Sequence, residues 1–114
     1  MEPLTAGVVA LVPFPFSDLS HSKYRPAVVL ADAGRGDFLL CQVTSNRYAD
    51  SLALELTDKD FVEGSLQRVS YVRPGKLFTA HQTLVRHRLG ALRRQSHARL
   101  VEKVVALPRA SLTS

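Results

Sequence analysis

The chain has 114 residues, 46% of them hydrophobic, with a formal net charge of +5 at neutral pH and a single cysteine. This length and composition predict one compact domain over residues 1–114 with enough apolar material for a core. No segment approaches the roughly 20 apolar residues of a membrane helix, and none resembles a secretory leader. We therefore expect a cytoplasmic protein with no membrane contact.

The first strand is predicted at residues 7–12, because GVVALV is apolar and rich in β-branched side chains. The PFPF segment that follows ends regular pairing, since prolines remove donors from a sheet ladder. The polar segment SDLSHSKY, residues 17–24, is expected to form an exposed loop of the kind that often carries function.

A β-hairpin is predicted next. Residues 27–30 (AVVL) have the pattern of a buried strand, residues 34–37 (GRGD) that of a turn, and residues 38–44 (FLLCQVT) that of the returning strand. Because proline restricts the residue before it to extended backbone, Arg25 is expected at the mouth of the first strand of the hairpin, just before Pro26, and not inside it.

Two short elements follow the hairpin. The alternation in SLALEL predicts a half-exposed strand at residues 51–56 with its three leucines on one face. The segment TDKDF predicts a single helical turn at residues 57–61, capped by Asp58.

The second half of the chain contains further short elements and one longer one. Strands are predicted at residues 70–73 and 76–79, separated by a Pro-Gly turn, and an extended segment at residues 84–89. Apolar residues then recur at three and four positions from Ser96 onward, which predicts an amphipathic helix that Pro108 closes. Many short strands with one terminal helix indicate a mainly β (α+β) fold, a small bent barrel or partly open sheet.

Sequence motifs exclude several common chemistries. The chain has no HExxH, GxSxG, P-loop, CxxC or dinucleotide fingerprint. Cys41 has no zinc partners at ligand spacing, so it is expected to pack as a small hydrophobic residue. We expect neither a metal nor a cofactor.

Charge is distributed unevenly along the chain. Residues 1–64 carry nine acidic and five basic side chains, whereas residues 65–114 carry ten basic side chains and one acidic one. A basic surface of this kind attracts a polyanion such as RNA, DNA or an acidic protein. The alternative is a solvated basic helix on a soluble protein.

The candidate site residues lie at the open end of the predicted hairpin. Arg25 ends the polar loop, and Thr44 and Ser45 end the returning strand, so a guanidinium and two hydroxyls are expected to meet there. Arginine offers a bidentate, permanently charged fork to phosphate oxygens, and hydroxyls donate or relay protons. The alternative is that Arg25 caps the loop and Thr44 bonds a backbone group.

Two further residues have open roles. Arg73, in SYVRPG, repeats the Arg-Pro arrangement and either lines the same cleft or forms a surface ion pair. His21 lies in the polar loop, and its pKa range suits proton transfer near neutrality, although a lone loop histidine is often only solvated.

The segments VALVPFPFSDLSHSKYRPAVVL, LLCQVTS, DFVEGSL and SYVRPGKLF resemble, in order over nearly the whole chain, the PemK/MazF-like toxins of bacterial type II toxin–antitoxin systems. The resemblance implies a small SH3-like β-barrel with a C-terminal helix, usually a homodimer, that acts as a metal-independent endoribonuclease on single-stranded RNA. It also implies a cognate antitoxin whose acidic segment occupies the RNA groove.

By position, the resemblance places the family's catalytic arginine at Arg25 and its threonine at Thr44, followed by Ser45. In the reaction that it implies, the ribose 2′-OH attacks the adjacent phosphorus and yields a 2′,3′-cyclic phosphate and a free 5′-OH. Arg25 would stabilise charge in the transition state, and Thr44 would orient the phosphate or relay a proton.

One position departs from the family pattern. Some members carry an Asp as general acid or base where this chain has Gly75, which cannot transfer protons. The general base is therefore either His21 or unneeded, with Thr44 and Arg25 sufficing. The expected RNA contacts are Lys23, Arg73 and Arg86, together with the polar loop and Arg88.

Two other functions stay open. The first is a barrel that binds RNA or DNA without cleaving it. That function would explain why Gly75 replaces a residue able to transfer protons. A gyrase-poison-type toxin that acts by protein binding shares the implied fold, but those relatives use a C-terminal tail containing Trp, and this chain has no Trp.

Overall fold

Seven strands and a terminal helix make up the computed structural model, which describes residues 3–14 and 23–113. In chain order the elements are β1 (Val8–Pro13), β2 (Tyr24–Gly34), β3 (Asp37–Thr44), β4 (Leu54–Leu56), β5 (Phe61–Gly64), β6 (Ser70–His81), β7 (His87–Leu92) and α1 (Arg94–Ala110). Short 3-10 turns occur at Asp58–Asp60 and Gln82–Leu84.

Antiparallel pairing joins the strands into one sheet in the order β4-β6-β3-β2-β1-β7-β5. The sheet is bent into a half-barrel, so apolar side chains on both of its faces are buried. Val9, Val28 and Val43 belong to one core cluster, which Leu100 of α1 completes. Val12 belongs to the second cluster, on the opposite face. The predicted mainly β barrel with a C-terminal helix is confirmed.

The predicted hairpin is present, with longer strands than expected. Its turn has left-handed backbone at Arg35 (φ 58°) and Gly36 (φ 82°), as tight hairpin turns that match strand twist require. Arg25 was expected outside the strand, and this is wrong, because β2 begins at Tyr24 and Arg25 pairs with Val12 of β1. Pairing with β3 starts only at Ala27, so proline does not interrupt that ladder.

The Pro-Gly pair of β6 does not form the predicted turn. The strands predicted at residues 70–73 and 76–79 are instead parts of the single strand β6. The register shifts instead: residues 73–76 of β6 lie opposite the single residue Gln42 of β3, which makes a bulge of more than one extra residue. Pro74 is buried in this bulge. The Cys41 thiol donates a hydrogen bond of 2.9 Å to the carbonyl of Arg73, and burial raises the pKa of the thiol to about 12.

Two predictions in the middle of the chain are wrong in detail. The strand expected at residues 51–56 shrinks to β4, and Leu52 lies in a turn with 39% of its surface exposed. The helical turn is capped by Thr57 and not by Asp58. Thr57 accepts a hydrogen bond from the backbone two residues on, while its own N–H donates to Asp60 Oδ2 at 2.9 Å.

The terminal helix is longer than its sequence pattern predicts. It starts at Arg94 and ends at Ala110, so Pro108 lies inside the last turn and does not close the helix. The first turn of α1 is bonded to Asp60, whose Oδ1 accepts a hydrogen bond of 2.7 Å from Ser96 Oγ. None of the helices in the described part of the chain has the length and apolar character that crossing a membrane requires.

Candidate active site

A cleft of about 210 Å³ opens at the end of the β2–β3 hairpin. The structure brings Arg25, Thr44 and Ser45 together there, and it adds residues from the start of β6 and the segment before it. The lining residues are Arg25, Pro26, Val43, Thr44, Ser45, Leu66, Arg68 and Ser70.

Strand register explains why Arg25 and Thr44 meet. Ala27 of β2 is paired with Gln42 of β3. Side chains alternate between the two faces of a sheet, so the residues two positions nearer the open end of the hairpin, before Ala27 in β2 and after Gln42 in β3, lie on the same face as this pair. Those residues are Arg25 and Thr44, and the hairpin therefore presents a guanidinium and a hydroxyl on one face at its open end.

Thr44 is held rigidly in the cleft. Its side chain is only 5% exposed, and its Oγ1 accepts a hydrogen bond of 3.1 Å from the backbone N–H of Asn46. A hydroxyl that accepts in this way still has its own proton to donate. Ser70, also buried, donates to the carbonyl of Arg68 at 3.3 Å, whereas Ser45 is exposed.

The described residues that line the cleft carry only positive charge. Arg25 and Arg68 are among them, and none of them is a carboxylate. Within residues 3–14 and 23–113, neither guanidinium forms an ion pair with an acidic side chain. Two guanidinium groups that have no ionic partner among those residues favour an anion with several oxygens, such as a phosphate.

Arg68 was not predicted from the sequence. It lies in a segment without regular structure, and nothing in its neighbours distinguishes it from other surface arginines. It reaches the cleft only because β6 pairs with β3, with Tyr71 opposite Thr44, which sets the chain just before β6 beside the hairpin end.

Arg73 lies outside the cleft lining. Its Nε donates to Asp50 Oδ2 at 2.9 Å, and its guanidinium lies over the ring of Tyr48 at 5.4 Å from the centroid. The hydrogen bond from Arg73 holds the pKa of Asp50 below its usual range. Of the two interpretations of Arg73, the structure therefore shows the ion pair.

None of the other predicted RNA contacts that the structure describes lines the cleft. Lys23 is exposed, and its carbonyl accepts from the Phe14 N–H at 3.0 Å. The Arg86 guanidinium lies over the ring of Tyr24, 4.9 Å from its centroid. Arg88 forms an ion pair with Glu63. His21 falls outside the described residues.

Gly75 stands on the exposed bulge of β6 and does not line the cleft. A Cβ built there would meet no atom within 4 Å, so a side chain would fit sterically. In the described ranges, no group of three or more His, Cys, Asp or Glu side chains could hold a metal ion.

Comparison with solved structures gives the class of protein that has this architecture: the half-barrel with one C-terminal helix is the fold of the MazF toxins. The MazE–MazF complex of Deinococcus radiodurans matches with a TM-score of 0.71 at 21% identity, covering 94% of this chain and 96% of that chain. An endoribonuclease in complex with its cognate antitoxin, from a Mycobacterial species, matches with a TM-score of 0.67 at 15% identity, covering 91% and 93%.

A third similar structure, the Mycobacterium tuberculosis toxin MazF-mt6, matches with a TM-score of 0.65 at 12% identity, covering 87% of this chain and 93% of that chain. No family model and no curated protein matches the sequence. At these identities the likeness is one of fold, and the chemistry must be argued from the cleft.

Proposed function

We propose that this chain is the toxin of a type II toxin–antitoxin system and acts as an endoribonuclease that cleaves single-stranded RNA without a metal ion. The observation that carries the proposal is the cleft, which Arg25 and Arg68 line together with the buried Thr44 and whose described lining residues include no carboxylate. The fold supports it, since the structurally similar chains include an endoribonuclease and MazF toxins.

The proposed reaction draws its nucleophile from the substrate. The 2′-OH of one ribose attacks the adjacent phosphorus, the bond to the 5′-oxygen of the next nucleotide breaks, and that oxygen leaves with a proton as a 5′-OH. The 2′,3′-cyclic phosphate stays on the first fragment. Negative charge builds on the phosphorus oxygens in the transition state, and Arg25 and Arg68 stabilise it there.

Thr44 orients the phosphate by donating its hydroxyl proton, because the bond from Asn46 fixes the position of its oxygen. His21 is the candidate base for the 2′-OH proton, and the alternative is a relay through Thr44 assisted by Arg25. Replacement of His21 by Gln decides between them: loss of the acidic limb of the pH–rate profile supports His21, and an unchanged profile supports the relay.

The partners follow from charge and from the likeness to antitoxin complexes. The basic second half of the chain suits both RNA and the acidic segment of an antitoxin. In this proposal Lys23, Arg73 and Arg86 contribute contacts to the RNA around the cleft, and the chain works as a homodimer in the cytoplasm.

A catalytically silent RNA-binding barrel is the second candidate, and Gly75 is the observation that favours it. Gly75 supplies no acid or base, and the described residues that line the cleft include no carboxylate or imidazole. Such a protein would bind RNA through the same guanidinium groups and release no product.

Cleavage in excess EDTA tests the proposal. Purified protein is incubated with end-labelled RNA of mixed sequence, and the product ends are identified by their susceptibility to phosphatase and kinase. We expect discrete fragments with cyclic phosphate and 5′-OH ends. Intact RNA that is nevertheless bound would support the silent barrel, and cleavage that requires added metal would contradict the mechanism.

A further inference from the structure

Tyr48 is an exposed aromatic residue that the fold does not explain. It is 56% exposed and lies in the loop between β3 and β4, where its backbone is left-handed with φ of 57°. Left-handed backbone favours Gly, Asn or Asp and disfavours a bulky side chain. Because Tyr48 buries little surface and stands at a disfavoured conformation, its ring has no evident role in folding.

The ring is nevertheless held in place. The guanidinium of Arg73 covers one of its faces, and Asp50 fixes that guanidinium through the 2.9 Å hydrogen bond to Nε. The Arg73–Asp50 pair is itself largely removed from solvent, with side-chain exposures of 19% and 15%. The loop backbone is fixed as well, since the N–H of Tyr48 donates to Asn46 Oδ1 at 2.9 Å.

The loop leads directly out of the cleft. Thr44 and Ser45 line the cleft, Asn46 bonds back to Thr44, and Tyr48 follows three positions after Ser45. Three residues span at most about 10 Å. A nucleotide next to one whose phosphate sits at Arg25 is therefore within reach of the ring.

We propose that Tyr48 is a stacking platform for a base of the bound RNA, next to the nucleotide whose phosphate occupies the cleft, with Arg73 and Asp50 as positioning residues. This inference rests on the proposed function, because it requires single-stranded RNA as the ligand. Unstacked bases of single strands bind by stacking on aromatic rings, and every base has a face that can do so. An arginine across the opposite face rigidifies the ring and adds a cation–π contact.

Phosphate contacts make RNA affinity fall as the salt concentration rises, whereas base stacking does not, and this difference gives a direct test. RNA binding is measured by fluorescence anisotropy over a series of salt concentrations, for the parent and for Tyr48→Leu, Tyr48→Phe and Val62→Ala. Val62 is a matched control because it is an exposed apolar residue of the edge strand β5. The RNA carries a 2′-deoxy nucleotide at the mapped cleavage position, or is unmodified if the protein does not cleave.

For Tyr48→Leu we expect affinity to fall about 5- to 100-fold with an unchanged salt slope, because stacking releases no counterions. Tyr48→Phe should bind like the parent, since it retains the ring. Asp50→Asn should bind unmodified and abasic RNA with more similar affinities than the parent does, because Arg73 then loses the partner that holds it against the ring. Replacing one nucleotide at a time by an abasic ribose should reveal one position whose loss weakens the parent but not Tyr48→Leu.

Several results would overturn the inference. Parent affinity in Tyr48→Leu for every RNA, or an equal loss in Tyr48→Phe, would show that the ring does not stack a base. A loss only of binding to an acidic peptide would assign the residue to a protein partner. Absence of RNA binding by the parent would overturn this inference and the proposed function together, whereas binding without cleavage would overturn only the latter.

Discussion

Arg25 and Thr44, from neighbouring antiparallel strands, line the same cleft, and none of the described residues that line it is a carboxylate. The register of the β2–β3 hairpin sets this relationship, and the bond from Asn46 to Thr44 Oγ1 fixes the hydroxyl. The proposed cleavage of RNA needs both the guanidinium of Arg25 and the hydroxyl of Thr44.

Thr44→Val should cleave RNA about 100-fold more slowly than the parent, because it removes a preorganised donor at nearly constant volume. Thr44→Ser keeps the hydroxyl and should stay within a few-fold of the parent. Single-turnover rates at saturating RNA report the chemical step, and circular dichroism verifies that both variants fold. Equal rates for the valine and serine variants would show that the hydroxyl has no part in the reaction.

Asp60 ties the terminal helix to the sheet, so its loss should reduce stability. Its Oδ1 accepts from Ser96 Oγ and Arg99 Nη2, and its Oδ2 accepts from the Thr57 N–H. Asp60→Ala leaves these donors without a partner and should lower the free energy of unfolding by about 2–3 kcal/mol. Urea denaturation measures the change. Asp58→Ala, at an exposed position of the same turn, is the control and should lower the free energy of unfolding far less.

Two glycines should respond in opposite directions to alanine. At Gly64, with φ of 70°, a Cβ would lie 2.2 Å from the carbonyl oxygen of Leu89, so Gly64→Ala should destabilise strongly because β5 must separate from β7. At Gly75 a Cβ meets no atom within 4 Å. Gly75→Ala should therefore be neutral or stabilise by about 0.4–1 kcal/mol through the unfolded chain. Melting temperatures measure both changes. A larger decrease for Gly75→Ala than for Gly64→Ala would contradict the open space found around Gly75.

His97 should make stability depend on pH. Its Nδ1 is buried and has no hydrogen-bond partner among the described residues, and burial lowers the pKa of the imidazole. The unfolded chain then binds a proton at higher pH than the folded one. Stability should be fully present above the ordinary histidine range near 6.5 and should decline as pH falls below it.

Denaturation midpoints measured between pH 5 and 8 test this, with His97→Leu as the comparison. The decrease in denaturation midpoint with falling pH that we assign to His97 should be absent in His97→Leu. An identical slope in both proteins would place the pH dependence on other groups.

Local sequence patterns predicted the hairpin and its open end because two short continuous apolar runs and a glycine turn between them are short-range signals. They also led to Arg25, Thr44 and Ser45 as neighbours. The Pro-Gly pair of β6 misled the sequence interpretation, since both flanks of the pair find partners on β3 and the long-range pairing overrides the turn. Tertiary context of this kind has no local signature.

Arg68 and Asp60 illustrate the same limit. Each acts through a partner distant in sequence: Arg68 through the cleft that β6 completes, and Asp60 through Ser96 of α1. Nothing within a few residues of either predicts those contacts. The extension of α1 past Pro108 differs in kind, because proline removes a backbone donor and its ring crowds the preceding turn, so the local signal favours an earlier end of the helix than the structure has.

Whether the cleft is the catalytic centre is tested by comparing Arg25→Ala with Arg94→Ala in single-turnover cleavage of one RNA. Both changes remove one positive charge, but Arg94 is exposed in the first turn of α1 and does not line the cleft. We predict a rate constant about 10²–10³-fold below the parent for Arg25→Ala and a value near the parent for Arg94→Ala. Equal rates for the two variants would contradict the assignment of the cleft as the catalytic centre.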